Sequence, residues 1–184
     1  MNQRRRVAAE CSRRFFLGAG LVVAGGLLSP AARAALSQPR RLSFYHTHTG
    51  ETLSTTYWEG GDYVPAALRE IDYILRDFVN CSERPIDHRL LDLLAELHRK
   101  LDSNAPFEII SAYRSPSTNA MLRAHSDGVA KSSFHLKAMA IDIRLRDVPL
   151  RDLRQAAIDL GRGGVGIYPA SNFVHVDTGP VRYW

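Results

Sequence analysis

The first 34 residues differ in pattern from the rest of the chain, and we expect the folded domain to lie in the part that follows them. They place basic residues, an apolar run and small residues in a fixed order: Arg4-Arg5-Arg6, Ser12-Arg13-Arg14-Phe15-Phe16-Leu17, Gly18 to Leu28, and Ala32-Arg33-Ala34. This order is typical of a secretory signal, and the apolar run is shorter than the roughly 20 residues that cross a bilayer. We predict a signal peptide at residues 1–34, a single domain at residues 35–184, and no stable membrane span after processing.

Two adjacent arginines of the signal, Arg13 and Arg14, indicate the export route. Ser12, Arg13 and Arg14, followed by Phe16 and Leu17, resemble the twin-arginine signal. The alternative is the basic end of an ordinary Sec signal. A twin-arginine signal would make the twin-arginine translocase a partner during export and would place the folded protein in the periplasm.

Charge and cysteine content exclude several classes of partner and site. Of the 24 basic and 19 acidic residues, six arginines and one acid, Glu10, lie in the signal, which leaves 18 of each. The remaining domain has no net charge, so we predict no nucleic-acid partner. Cys81 is the only cysteine after the signal, which excludes an internal disulfide and a site built from several thiolates.

The pattern of apolar residues predicts an α+β domain. Helices come early and several strands come late, so we expect a small, mainly antiparallel sheet with helices packed on one face. Gly161 to Gly166 is predicted to be a glycine-rich connection, and 168–172 a turn. The predicted strands are 41–47, 52–58, 107–113, 138–145 and 173–178, and the predicted helices are 65–79, 87–101, 117–125 and 149–160.

Two late strands carry polar residues on one face. Side chains alternate along a strand, so Ile141 faces the core while Asp142 faces the other side, and Val174 and Val176 are buried while His175 faces outward. His135 lies in the loop that leads into the first of these strands. If the strands are neighbours, His135, Asp142 and His175 converge on the open face.

Two imidazoles and one carboxylate form a normal catalytic zinc shell with a fourth position for water. In the absence of cysteine ligands, this set favours zinc. The alternative is a buried Asp–His pair without metal.

Longer motifs resemble a known group of enzymes. The string Ser133-x-His135-x-x-x-x-Ala140-x-Asp142 resembles metallopeptidases that include D-Ala-D-Ala carboxypeptidases, and the same zinc fold occurs in the hedgehog signalling domain. Three further motifs are similar to the murein endopeptidase K group: Ser111-Ala112-Tyr113-Arg114-Ser115, Gly163-Gly164-Val165-Gly166-Ile167-Tyr168-Pro169, and Asn172-Phe173-Val174-His175-Val176-Asp177-Thr178-Gly179-Pro180.

The resemblance implies a zinc-dependent murein endopeptidase that hydrolyses peptide cross-links of peptidoglycan in the periplasm. It implies one Zn²⁺ per chain, with His135, Asp142 and His175 as ligands and the peptide stems of peptidoglycan as partner. It also implies that Arg114 binds substrate and stabilises the oxyanion. Ser133 either binds substrate, orients His135 or is only a turn hydroxyl.

The chain departs from the group at the position of the general base. Some relatives have a glutamate or a histidine where this chain has Asn172 and Phe173. Asp177 is therefore the candidate base, with His125 as the second candidate, although Asp177 could instead orient His175. Two alternatives stay open: a D,D- or L,D-carboxypeptidase that trims stem peptides, and a non-catalytic zinc-containing module that binds the wall.

Other residues give weaker signals. Many relatives have glycine at the position of Ala138, a change that we expect the start of a strand to tolerate. His46 and His48 could share a metal, but without a third ligand nearby we predict exposed strand histidines. His88 and His98 are predicted to be solvated helix residues.

Overall fold

The computed structural model describes residues 38–125 and 130–184. The predicted signal at residues 1–34 lies outside these residues, so the signal and its twin-arginine route stay predictions. Among the described residues, no helix combines the length and the apolar character that a membrane crossing requires.

The described residues form four α-helices and an eight-stranded sheet. Two short 3₁₀ turns, Phe134–Lys137 and Pro169–Ser171, lie in loops. The helices are α1 (Pro65–Ile74), α2 (His88–Leu101), α3 (Pro116–His125) and α4 (Leu150–Leu160). The strands are β1 (Arg40–His46), β2 (Thr52–Glu59), β3 (Asp62–Tyr63), β4 (Phe107–Ser111), β5 (Ala140–Arg144), β6 (Gly164–Tyr168), β7 (Phe173–Asp177) and β8 (Arg182–Tyr183).

The sheet confirms the predicted α+β class and its mainly antiparallel pairing. The strand order is β3-β2-β1-β4-β5-β7-β6-β8, and only the β1–β4 and β6–β8 pairs are parallel. The sheet is larger than expected because β3, β6 and β8 were not predicted. Gly164 to Gly166, predicted as part of a connection, belongs to β6, where Val165 and Gly166 pair with β7 and Gly164 pairs with β8.

Helices cover one face of the sheet. The leucine stripe of α2 is buried where this helix packs against β1 and α4, and α4, which also packs against β7, adds Leu153 and Ala156 to the same core. Burying these apolar side chains supplies the main driving force for folding. The polar residues that alternate with the core residues of β5 and β7 are left on the opposite face, as predicted.

The register of β5 and β7 brings distant polar residues together. Asp142 lies directly opposite His175, and Ala140 lies opposite Asp177. Directly opposed residues of an antiparallel pair have their Cβ atoms about 4.5–5.5 Å apart. Hydrogen bonding of the two strands therefore fixes the spacing of the polar side chains on the open face.

The loop before β5 differs from the expected strand start. Ser133 caps the 3₁₀ turn Phe134–Lys137, and Ala138 ends that turn with φ = 54°. An L-residue pays a steric cost in this left-handed region that glycine avoids. The expectation that Ala138 begins the strand was therefore wrong, and its backbone conformation explains why glycine suits this position.

Two histidines that were expected to be solvated pack against aromatic rings. His46 is 1% exposed and packs against the ring of Phe78, while its Nδ1 accepts a hydrogen bond from the backbone N–H of His48 at 3.3 Å. His98 stacks on Phe107, with ring centroids 4.0 Å apart. The prediction for His46 was wrong because Phe78, which covers it, comes from a distant segment, whereas His98 is half-buried rather than fully solvated.

Candidate metal centre

Three buried side chains meet at the open face of β5 and β7. Nδ1 of His175 lies 2.8 Å from Oδ1 of Asp142. Nε2 of His135 lies 3.3 Å from the same oxygen and 3.2 Å from Nδ1 of His175. One ligand atom from each of the three residues therefore falls within a single small group that could hold a metal ion.

Hydrogen bonds on the far sides of both imidazole rings orient the nitrogens of the cluster. Nδ1 of His135 lies 2.6 Å from the carbonyl oxygen of Ala112, and Nε2 of His175 lies 3.1 Å from Oδ2 of Asp177. Because both partners are acceptors, each of these ring nitrogens carries a proton. In the neutral rings, Nε2 of His135 and Nδ1 of His175 are then unprotonated and can bind a metal.

The donor set fits zinc. Three lone pairs, two from nitrogen and one from a carboxylate oxygen, point into the same small space and repel one another unless a cation lies between them. Ligands about 2.0–2.2 Å from a tetrahedral ion lie about 3.3–3.6 Å from one another. The observed separations of 2.8–3.3 Å are close to this range.

The electrostatics of the cluster also favour positive charge at this place. Burial alone would raise the pKa of Asp142, but His135 and His175 outweigh burial and hold that pKa below its ordinary value. Burial alone would lower the pKa of His175, but hydrogen bonds to Asp142 and Asp177 outweigh it and raise the pKa to about 9. The two carboxylates on either side of His175 therefore favour a positive charge between them.

Arg114 lies beside the cluster, as its sequence context indicated. Its side chain is 12% exposed, and Nη2 lies 3.9 Å from Oδ2 of Asp142. The guanidinium donates to Oγ of Ser111 at 3.2 Å and to Oδ1 of Asn119 at 3.4 Å. Burial lowers the pKa of Arg114 from its ordinary value. The guanidinium of Arg114 is therefore a cationic group that is fixed in position next to the candidate ligands.

Ser133 lines the same cleft and also caps the turn that carries His135. Its Oγ accepts a hydrogen bond from the backbone N–H of His135 at 3.3 Å. This bond leaves the hydroxyl proton of Ser133 free to donate to another group. The geometry is compatible with all three roles expected from the sequence, namely the substrate contact, the orientation of His135 and the turn hydroxyl.

Asp177 is completely buried on the side of His175 that faces away from the cluster. Besides His175, its carboxylate accepts hydrogen bonds from the backbone N–H groups of Gly164 and Gly179 and from the guanidinium of Arg182. Burial alone would raise the pKa of Asp177, but these donors hold it below its ordinary value. The carboxylate is therefore saturated with donors.

His125, the second candidate base, lies at the exposed end of α3. Its Nδ1 hydrogen-bonds the backbone carbonyl of Met121 at 2.8 Å, and its side chain does not line the cleft. Among the described residues, Asp142 is the only carboxylate that lines the cleft.

Aromatic residues that the sequence did not single out form one wall of the cleft, which has a volume of about 410 Å³. Tyr168 stacks on Phe173 with ring centroids 4.6 Å apart, and its hydroxyl accepts a hydrogen bond from Nε1 of Trp184 at 2.8 Å. Trp184 lies 5.3 Å from the ring of His175. Tyr168 and Phe173 belonged to the motifs quoted for the resemblance, but no pattern in the sequence indicated that Trp184 folds back onto them.

The glycines of the Gly163–Tyr168 motif are explained by close approaches to the same wall. A Cβ on Gly164 would lie 2.6 Å from Oδ2 of Asp177, and a Cβ on Gly166 would lie 2.4 Å from Cε2 of Trp184. Only glycine leaves space for Asp177 to reach His175 and for Trp184 to cover β6.

Two imidazoles and a carboxylate gathered on an open sheet face, with an arginine alongside, define a metal-dependent hydrolase. Comparison with known proteins specifies the class. The sequence model of a peptidase M15 family described as peptidoglycan L,D-endopeptidase MepK matches residues 34–184.

Curated relatives match over nearly their whole lengths. Peptidoglycan L,D-endopeptidase MepK of Escherichia coli strain K12 is 40% identical over 178 residues, which is 95% of this chain and 98% of the relative. The probable peptidoglycan L,D-endopeptidase MepK of Haemophilus influenzae is 41% identical over 177 residues, which is 94% of this chain and 95% of the relative. The chain therefore belongs to the MepK family, as a peptidoglycan endopeptidase of the M15 metallopeptidase group.

Proposed function

We propose that this protein is a zinc-dependent L,D-endopeptidase that hydrolyses peptide cross-links of peptidoglycan in the periplasm. His135, Asp142 and His175 hold one zinc ion per chain. The observation that carries this proposal is the convergence of one imidazole nitrogen from each of two histidines on one carboxylate oxygen, while an acceptor holds the other nitrogen of each ring. The L,D specificity is the one named for the relatives in E. coli and H. influenzae.

When bound, zinc supplies a Lewis acid that polarises a carbonyl group and acidifies water. The residues of the chain position the substrate around it. Arg114, held by Ser111 and Asn119, points its guanidinium at the space beside Asp142 and donates to the oxyanion that develops when the peptide carbonyl is attacked. Ser133, whose hydroxyl proton is free, donates a hydrogen bond to the substrate backbone.

Asp177 acts by orienting His175. Its carboxylate lies behind the imidazole and is occupied by four groups of donors, so it has no free lone pair that faces the cleft. A carboxylate behind a metal-binding histidine fixes the ring and raises its basicity. The base that receives a proton from water is then not Asp177, and exchange of Asp177 separates the orienting role from the role of a base.

The test uses purified muropeptide dimers that are joined by a 3–3 cross-link, which is the L,D type, or by a 4–3 cross-link, which is the D,D type. We expect the protein to convert 3–3 dimers to monomers and to leave 4–3 dimers intact. Chelation should stop the reaction, and added zinc should restore it. Ala at His135, Asp142 or His175 should abolish cleavage and bound zinc, whereas His88→Ala, a histidine outside the cleft, should change neither.

Three results would contradict the proposal in different ways. Loss of a terminal residue with the dimers left intact would show a carboxypeptidase. Zinc bound one per chain, with binding to the wall but no cleavage, would show a non-catalytic module. Full cleavage by His135→Ala, confirmed by mass spectrometry of the products, would show that the reaction uses another site.

The export route has its own test. The pattern Ser12-Arg13-Arg14 supports twin-arginine export of the folded protein. Exchange of Arg13 and Arg14 for lysine should keep the positive charge but leave the precursor in the cytoplasm, as measured by cell fractionation. Unchanged periplasmic amounts would favour the Sec route.

A further inference from the structure

The open face of the sheet continues beyond the candidate metal centre as a row of side chains from neighbouring strands. Tyr45 pairs with Glu108, Glu108 with Arg144, and Phe173 with Tyr168. Because Ile143 pairs with Val174, Arg144 lies beside Phe173. We call these five residues the Arg144 row.

The Arg144 row lies next to the residues of the metal centre. Arg144 follows Asp142 by two positions on β5, so both side chains project from the same face, and their Cα atoms lie about 6.6 Å apart along the strand. Phe173 belongs to the row and also lines the cleft. The row therefore borders the cleft directly.

The buried carboxylate of Glu108 holds Arg144 and the neighbouring Arg146 in place. Glu108 is 3% exposed, and its two carboxylate oxygens accept hydrogen bonds from Nε of Arg144 and Nε of Arg146. Burial alone would raise the pKa of Glu108, but the two guanidinium groups outweigh it and lower the pKa. Glu108 is therefore charged and cancels one of the two positive charges.

The guanidinium groups keep donors for another partner. Both arginines bond Glu108 through Nε, so their terminal nitrogens remain for a further acceptor. The side chain of Arg144 is 32% exposed and that of Arg146 is 73% exposed, and Arg146 also lies over the ring of Tyr45. A depression of about 480 Å³ opens at these residues, and Glu108 is its only acid within the described parts of the chain.

We propose that Arg144, supported by Arg146, binds a free carboxylate of the acidic stem peptide whose cross-link is cut in the neighbouring cleft. This inference rests on the proposed function, because it takes the stem peptide as the ligand. An extended peptide covers about 3.3–3.6 Å per residue, so the carboxylate lies about two to three residues from the bond that is cut. Planar guanidinium groups suit this ligand because they bind carboxylates through two parallel hydrogen bonds.

The experiment measures binding without turnover. Isothermal titration compares a stem tripeptide that carries free carboxylates with the same tripeptide in which they are amidated. We expect the acidic tripeptide to bind the wild-type protein about tenfold more tightly than the amidated one. Arg144→Gln should reduce this ratio to about one, and Arg146→Gln should reduce it in part.

Controls separate the subsite from stability and from the proposed function. Arg151→Gln, an exposed arginine on α4 that contacts Asp152, should keep the wild-type ratio. Thermal unfolding shows whether Arg144→Gln is folded. If Arg144→Gln is not folded, the binding ratio of the two tripeptides is measured with Arg146→Gln instead, because Arg146 is exposed.

Equal binding of both tripeptides to the wild-type protein, or an unchanged ratio in a folded Arg144→Gln variant, would overturn the subsite. Cleavage of 3–3 dimers is measured separately, so a failure of the proposed function does not produce either result.

Discussion

His175 lies between two carboxylates, with Nδ1 2.8 Å from Asp142 and Nε2 3.1 Å from Asp177. The first carboxylate shares the candidate metal centre with His175, and the second holds the ring from behind. Asp177 itself receives two backbone N–H groups and the guanidinium of Arg182. The orientation of one ligand is thus coupled to the loop after β7 and to β8.

Asp177→Asn tests this coupling. The amide cannot accept from all of the donors that the carboxylate receives, so the ring of His175 loses its fixed orientation. We expect zinc affinity to fall by about 10- to 100-fold, as measured by competition with a chelator of known affinity. Activity should return when zinc is added in excess.

The same variant distinguishes orientation from proton transfer. If Asp177 were the general base, Asp177→Asn would bind zinc as tightly as the wild-type protein and would stay inactive at saturating zinc. Asp152→Asn, which changes an exposed acid on α4, is the matched control and should alter neither property.

Arg114→Lys tests the role proposed for the guanidinium. Lysine keeps the positive charge but loses the planar fork that Ser111 and Asn119 hold in place. We expect kcat to fall by about 10²- to 10³-fold, because the lost donor acts on the oxyanion, whereas zinc content should not change. Steady-state kinetics on 3–3 dimers measures the effect. A kcat within twofold of the wild-type value would show that Arg114 has no such role.

The positions of Asp142 and His175, two of the candidate ligands, could be predicted because strand alternation is a local property. Ile141 and Val174 are buried core residues, and alternation alone then places Asp142 and His175 on the opposite face. Alternation does not show that β5 and β7 are neighbours, but the motif resemblance implies that residues of both strands bind one ion, which requires the strands to lie close together. The pairing of Asp142 with His175 confirms this expectation.

The features that were missed depend on contacts between distant segments. Gly164 and Gly166 carry no apolar pattern, so β6 could not be recognised, yet Asp177 and Trp184 require those glycines. His46 looked like an exposed strand residue because its cover, Phe78, comes from the loop after α1. Each of these features depends on tertiary packing, which neither the local composition nor the residue spacing reveals.

His46→Asn tests the consequence of burying that histidine. Burial, with help from His48 and Arg76 and against Glu51, lowers the pKa of His46 from 6.5 to about 4. Between these values the unfolded chain binds a proton that the folded protein does not, so the free energy of unfolding rises with pH. This contribution amounts to at most about 3 kcal/mol across the window.

In His46→Asn, we expect a weaker dependence of the free energy of unfolding on pH between pH 4 and 6.5. Asparagine keeps an acceptor for the backbone N–H of His48 but does not titrate. Urea unfolding at several pH values measures the slope. The solvated His125 offers a control, since His125→Asn should leave the slope unchanged. Equal slopes for the wild-type protein and His46→Asn would contradict the assigned burial effect.

Gly166→Ala tests how Trp184 shapes the cleft. Gly166 lies opposite His175 in the β6–β7 pair, and an added methyl group would lie 2.4 Å from the indole of Trp184. The indole must move, which breaks its hydrogen bond to Tyr168 and uncovers His175. We expect KM for 3–3 dimers to rise by about three- to tenfold, with zinc content unchanged.

A double-mutant cycle shows whether the effect acts through Trp184. Trp184→Ala removes the indole, so adding Gly166→Ala in that background should change KM no further, and the two effects should be strongly non-additive. Indole fluorescence reports the displacement directly, because the chain has only two tryptophans and Trp58 lies in β2. If Gly166→Ala raised KM equally in both backgrounds, the methyl group would be acting on the strand itself. Trp184 would then not be the element that sets the shape of the wall.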